Sequence, residues 1–146
     1  CSINPHAEKR FKEYINLLND SSESMISFQM NHSEIAYTTQ ELADELEYPL
    51  NYTGQYMATV LIMKNVEKTH TIFNKCIELL RKDSVLVTNE YNRNQAACFV
   101  ANRHDQSILS LIRKKLGSLV LPDETWFKSF EHEGLNYPFW ATRRRD

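Results

Sequence analysis

Asn102-Arg103-His104-Asp105-Gln106-Ser107-Ile108-Leu109-Ser110-Leu111-Ile112-Arg113-Lys114-Lys115-Leu116-Gly117 reads as one amphipathic helix with a polar mouth. Asp105 supplies an N-cap or first-turn acid, where the helix dipole favours negative charge. Ile108, Leu109, Leu111, Ile112 and Leu116 recur at helical spacing and make one apolar face. Arg113, Lys114 and Lys115 fall in the last turn, where cations meet the negative end of the dipole, and Gly117 follows as a left-handed C-cap. Start, face and stop agree. The mouth brings Arg103, His104, Asp105 and Gln106 to a loop-to-helix junction, a common place to hold a polar ligand.

Outward from this helix, Tyr56 to Met63 is a nearly continuous apolar run after the polar turn Asn51-Tyr52-Thr53-Gly54-Gln55. It predicts a central strand covered on both faces. Asn65 then caps a helix with the inner stripe Val66, Phe73, Cys76, Ile77 and Leu80, and strand followed by helix suggests half of a βαβ unit. Nearer the start, Asn4-Pro5 predicts a helix start, with Ala7, Phe11, Tyr14, Ile15 and Leu18 on one face. Met25 to Met30 predicts a strand. Thr38 or Thr39 caps a helix through Leu42, Ala43 and Leu46 that Pro49 stops. Asparagines mark loop between Asp83 and Ala101, with Ala96 to Val100 as a short buried segment. Ser118 to Leu121 predicts a last short strand, closed by Pro122, and the aromatic stretches 123–127 and 137–140 wrap the surface near the core. The pattern is α/β, and 146 residues make one domain or part of a larger one.

A net charge of -2 and the lack of a basic stripe give no reason to expect a nucleic-acid partner, and Arg143-Arg144-Arg145 reads first as a solvated tail. Cys1, Cys76 and Cys98 lack metal-ligand spacing and leave one thiol over in any disulfide scheme, which suits a reducing compartment. No run is long and apolar enough to span a bilayer, and no signal peptide is seen, so the expected location is cytoplasmic. With only Gly54, Gly117 and Gly134, the chain has no glycine-bearing phosphate loop and no acidic metal site at a strand end. A fragment of a larger domain is therefore expected.

Several stretches together support a family resemblance. Asn102-Arg103-His104-Asp105-Gln106-Ser107-Ile108 resembles the Arg-His-Asp-Gln-Ser block of bacterial glycosyltransferases from capsule and lipopolysaccharide gene clusters. Leu121-Pro122-Asp123-Glu124-Thr125-Trp126-Phe127, Tyr137-Pro138-Phe139-Trp140-Ala141-Thr142-Arg143, Ser2-Ile3-Asn4-Pro5 and Gly54-Gln55-Tyr56-Met57-Ala58 are also similar, in family order over essentially the whole chain. The resemblance implies the C-terminal, acceptor-side portion of a GT-A-like mixed sheet flanked by helices. It implies a nucleotide-sugar donor and a glycan or other acceptor, in surface polysaccharide synthesis. It further implies a divalent metal, manganese or magnesium, whose ligands lie on a preceding strand ending Asp-Ala-Gly that this sequence does not contain.

By that resemblance Asp105 and Gln106 face the reacting sugar. A carboxylate and an amide hold sugar hydroxyls by paired hydrogen bonds, and in an inverting enzyme the carboxylate serves as base towards the acceptor hydroxyl. The bland alternative for Asp105 is a helix cap. Arg103 and His104 are candidates to neutralise a diphosphate leaving group, against a surface ion pair for Arg103. His32 and Glu34 match a His-x-Glu pattern of that family, and the pair is a candidate acceptor contact or a polar loop pair. Asn51 and Gln55, in a turn that Gly54 permits, are candidates for donor or acceptor binding, and Arg143 for phosphate. Trp126, Trp140 and Tyr137 are candidates to stack on sugar rings, or core. The competing classes are a non-catalytic carbohydrate-binding or protein-interaction module, and a hydrolase that pairs Asp105 with Glu34.

Overall fold

The computed structural model describes residues 1–92 and 94–142. Its elements run β1 (Ser2–Ile3), α1 (Glu8–Asp20), β2 (Met25–Ser33), α2 (Glu34–Tyr37), α3 (Gln40–Glu45), β3 (Gly54–Tyr56), β4 (Ile62–Met63), α4 (Glu67–Lys82), α5 (Asp105–Leu116), β5 (Leu119–Pro122) and β6 (Phe139–Trp140). The fold is α/β, with a mixed sheet flanked by helices. Among the described residues no helix is long and apolar enough to cross a membrane.

The centre of the sheet is β2, not the apolar run after Gln55. Ile26 faces Ile62 on one edge and Leu119 on the other, and Gln29 likewise faces Tyr56 and Pro122. β3 and β4 therefore share the antiparallel edge while β5 runs parallel along the opposite one. From Gln29 to Ile26 β2 advances three residues while its partner advances six, from Tyr56 to Ile62. The excess bulges out of the ladder. The Met57 N–H still reaches the Phe28 carbonyl at 2.9 Å, but the predicted strand is broken into two short pieces. Met57 and Val60 are apolar because the bulge drops them into the core beside Ile62 of β4, which a period-2 reading cannot distinguish from a buried strand. The expected βαβ half-unit also goes, since the parallel pair is β2 with β5.

Alternation along β2 divides the core in two. Met25 packs with Leu42, Ile72, Leu79, Ile108 and Leu111 of α3, α4 and α5. Ile26 and Phe28 turn to the other face and meet Tyr14 and Leu18 of α1. Gly54 sits where β3 passes the irregular end of β2, and a Cβ there would overlap the Met30 carbonyl, so close approach fixes the glycine.

The helix ends follow their capping chemistry in part. The Asn4 side chain accepts from His6 N–H (3.1 Å) ahead of α1, and Thr39 accepts from Leu42 N–H (3.4 Å) to cap α3. Asn65 does not cap α4. Val66 holds that position, and the Asn65 amide oxygen lies 2.8 Å from His70 Nε2. The buried stripe of α4 is also rotated from the expected one: Thr69, Ile72 and Leu79 face inward, while Val66, Ile77 and Leu80 are exposed. Cys76 stays at the margin of that stripe, and burial pushes its thiol up to about 11. In α1, Phe11 and Ile15 lie at the exposed edge of the expected face. Ala96 to Val100 is not a buried segment, since Cys98 and Val100 are exposed.

Candidate functional site

α5 forms as its sequence dictates, over Asp105–Leu116, and ends on Gly117 at a φ of 92°. Asp105 occupies the first turn. His104 takes the N-cap position with φ 52° and ψ -118° and gives no side-chain cap. Gln106 N–H reaches the Arg103 carbonyl at 3.1 Å. Arg103 to Gln106 is thus a type II′ turn, whose second position normally takes glycine. Two contacts hold the strained residue in place: His104 N–H donates to Asn102 Oδ1 (3.2 Å), and its Nε2 lies 3.0 Å from Asn89 Oδ1. The Asn102 amide itself donates to the Leu86 and Thr88 carbonyls.

One side of α5 carries a polar stripe, Ser107, Ser110, Arg113 and Lys114, that packs inward. Glu34 is fully buried beneath it. Thr38 Oγ1 donates to Glu34 Oε2 (2.6 Å), Ser110 Oγ donates to Glu34 Oε1, and Lys114 Nζ lies 3.1 Å from the same Oε1. Gln55 is equally buried; its amide donates to the Tyr37 carbonyl (3.1 Å), Thr38 Oγ1 (2.9 Å) and Ser107 Oγ (3.2 Å). Glu34 and Gln55 were expected at the substrate. The hydrogen bonds instead turn both into the interior, where they tie α2, β3 and α5 together. Asn51 also serves its own turn, accepting from Thr53 N–H (2.9 Å) while its carbonyl accepts from Ile35 N–H (3.0 Å).

Arg113 departs most from expectation. It was read as a last-turn cation at the negative end of the helix dipole, yet it is fully buried. Its guanidinium donates to Leu109 O (3.0 Å), Ser27 Oγ (3.1 Å), Tyr56 O (3.0 Å) and Met57 O (2.7 Å). Burial drives its pKa down to about 10 and also lowers that of Lys114, against the pull of Glu34. The Tyr56 and Met57 carbonyls lose ladder partners where the strand bulges, and Arg113 supplies the missing donors. The serine spacing on α5 was the available signal, because hydroxyls at 107 and 110 break an otherwise apolar face.

The mouth residues have a different fate. Asp105 is exposed, and its carboxylate has no hydrogen-bond partner among the described residues. Gln106 is half-buried and donates to Gln55 Oε1 (2.8 Å), so it stands between interior and surface. Arg103 lays its guanidinium 4.7 Å above the Tyr37 ring. Two adjoining clefts open here. One, of about 430 Å³, is lined by Ala58, Thr59 and the Ala101–Gln106 segment. The other, of about 420 Å³, shares Thr59, Arg103 and Gln106 and adds His32, Trp126 and Thr142. The bulge after Tyr56, clamped by Arg113, thus forms the wall common to both.

Trp126 reaches its cleft through the Asp123-Glu124-Thr125 segment. Asp123 Oδ1 accepts from both Thr125 N–H (3.0 Å) and Thr125 Oγ1 (2.7 Å), a local turn that buries Thr125 against Met57. Glu124 takes a forked pair from Arg10 and a 2.5 Å bond from the Tyr14 hydroxyl, anchoring the segment to α1. Burial and that carboxylate raise the Tyr14 pKa far above its ordinary value. Trp126, the next residue, is left 58% exposed on the cleft rim. Tyr137 and Trp140 do not join it: Tyr137 stacks on Phe127, and the Trp140 indole donates to the Gly134 carbonyl. Arg143 lies outside the described residues.

Among the described residues no group of three or more His, Cys, Asp or Glu side chains could hold a metal ion. Comparison of the chain with models of known families, with characterised proteins and with solved structures finds no match.

Proposed function

We propose that this chain acts in sugar transfer from a nucleotide-sugar donor to a glycan or other acceptor, as part of a GT-A-like glycosyltransferase. The observation that carries the reading is the position of Asp105 and Gln106. The two residues that the motif resemblance assigns to the reacting sugar lie at the junction of two clefts, one carboxylate free and one amide half-exposed. The size of the clefts suits a sugar, and an exposed indole on the rim suits the apolar face of a pyranose. The mixed sheet between helices is the coarse layout that the reading requires. A cytoplasmic setting, where nucleotide sugars are made, belongs to the same proposal.

In this mechanism Asp105 accepts the proton of an acceptor hydroxyl and Gln106 orients the sugar by donating and accepting hydrogen bonds. Its amide is held by Gln55, which the buried network fixes in turn. A nucleotide-gripping part and a metal are not supplied by the described residues, and no step here runs through them. The hydrolase reading, Asp105 with Glu34, is not retained, because Glu34 is buried among hydroxyls and Lys114.

The test is saturation-transfer NMR with a panel of nucleotide sugars and manganese, followed by assay of transfer to oligosaccharide acceptors. Nucleotide sugars are expected to bind. Asp105→Asn is expected to reduce transfer to background while stability stays within about 0.5 kcal/mol. Binding of free oligosaccharides alone would favour a carbohydrate-binding module, and unchanged transfer in Asp105→Asn would remove that residue from the site.

A further inference from the structure

The two clefts differ in charge. Asp105 lines only the one beside the Ala101–Gln106 segment. The Trp126 cleft has no carboxylate among its described lining residues, but it has Arg103 and His32. Both pack on one ring: the Arg103 guanidinium lies 4.7 Å over Tyr37, and the His32 ring meets Tyr37 edge-on at 5.1 Å. Among the described residues neither side chain has a hydrogen-bond or ion-pair partner beyond that ring. By contrast the partly or fully buried arginines Arg10 and Arg113 are matched, Arg10 by Glu124 and Arg113 by backbone oxygens. The Arg103 guanidinium is held over the Tyr37 ring while its N–H groups have no protein acceptor among the described residues, so they are available to a two-oxygen anion.

We propose that the Trp126 cleft receives a sugar bearing an anionic substituent, a carboxylate or a phosphate, which Arg103 and His32 hold beside Tyr37 while the neutral hydroxyls reach Gln106 and Asp105. The inference rests on the carbohydrate reading above and adds a substrate class to it. It also separates Arg103 from His104, whose ring is tied to Asn89 in the neighbouring cleft.

The experiment is competition saturation-transfer NMR on the whole chain with glucose, glucuronate, glucose 6-phosphate and uridine diphosphate. At least one acidic sugar is expected to bind about tenfold tighter than glucose, as a charge-assisted pair allows. That preference is expected to shrink as salt rises and to fall towards unity in both His32→Gln and Arg103→Gln. Which acidic sugar is favoured identifies the anion. His32 is exposed, so its variant keeps the test valid even where Arg103→Gln misfolds. Equal affinity for the three sugars overturns the proposal and leaves the carbohydrate reading standing; no sugar bound overturns both. A preference that persists in both variants overturns the assignment to these residues. Uridine diphosphate displacing the acidic sugar assigns the two side chains to a leaving group instead, and also overturns it.

Discussion

Gln55 and Gln106 are bonded to each other at 2.8 Å, yet they belong to different regions of the molecule. Gln55 sits in a cluster with Glu34, Thr38, Ser107, Ser110 and Lys114, in which every side chain finds partners. Gln106 borders a second cluster, with Arg103, Asp105 and His32, where side chains lie open on clefts. Composition does not separate the two, as each holds an acid, a base and an amide. Hydrogen-bond satisfaction separates them. A buried polar group must be paired or it costs stability, so the inner cluster is read as architecture. An exposed group has no such obligation, and convergence of several on one cleft marks a candidate site.

The largest expected effect falls inside. Glu34→Ala leaves the Lys114 ammonium buried against Tyr56 without its carboxylate, and urea denaturation is expected to show a loss of about 3–5 kcal/mol. A small loss would mean that the inner cluster is not structural and would erase the contrast. Arg113→Met is next. It keeps the bulk but strips the donors from the Tyr56 and Met57 carbonyls, at an expected cost of about 1–3 kcal/mol in the same measurement. Because those carbonyls shape the wall shared by the two clefts, its sugar binding is expected to weaken beyond what the unfolded fraction explains.

The mouth responds in the opposite sense. His104→Gly removes a side chain from a positive φ, and thermal unfolding is expected to show a gain of up to about 1 kcal/mol, the relieved strain less the entropy of a freer unfolded chain. A loss instead would show that the Asn89 contact outweighs the strain. The conformation persists at a cleft, where stability is given up for geometry.

These particulars show what the sequence made legible. α5 was readable from cap acid to closing glycine because its signals are local: an acid in the first turn, a periodic apolar face, a residue able to take positive φ. The Asn4 and Thr39 caps were readable for the same reason. The break after Tyr56 was not, because a bulge that buries Met57 and Val60 has the same apolarity as a strand. Nor was Arg113, since a cation in a last turn has a sufficient local explanation and its true partners come from β2 and the bulge, distant in sequence. Around the two clefts, Arg103, Asp105 and Gln106 are neighbours in sequence as well as in space. His32 was marked only by the His-x-Glu pattern it shares with Glu34, and packing on Tyr37 brings it beside Arg103, while Glu34 and Gln55 turn inward through contacts that no spacing rule records.

The most direct test compares the bonded pair. Gln55→Ala and Gln106→Ala delete the same amide from the two sides of one hydrogen bond, and each variant is followed by urea denaturation and by nucleotide-sugar binding. The account predicts that Gln55→Ala, which removes three further hydrogen bonds, lowers the unfolding midpoint more than Gln106→Ala, which strips only the donor from Gln55 Oε1, and that Gln106→Ala abolishes binding. Gln106→Ala that binds as the parent does, or Gln55→Ala as stable as the parent, would contradict it.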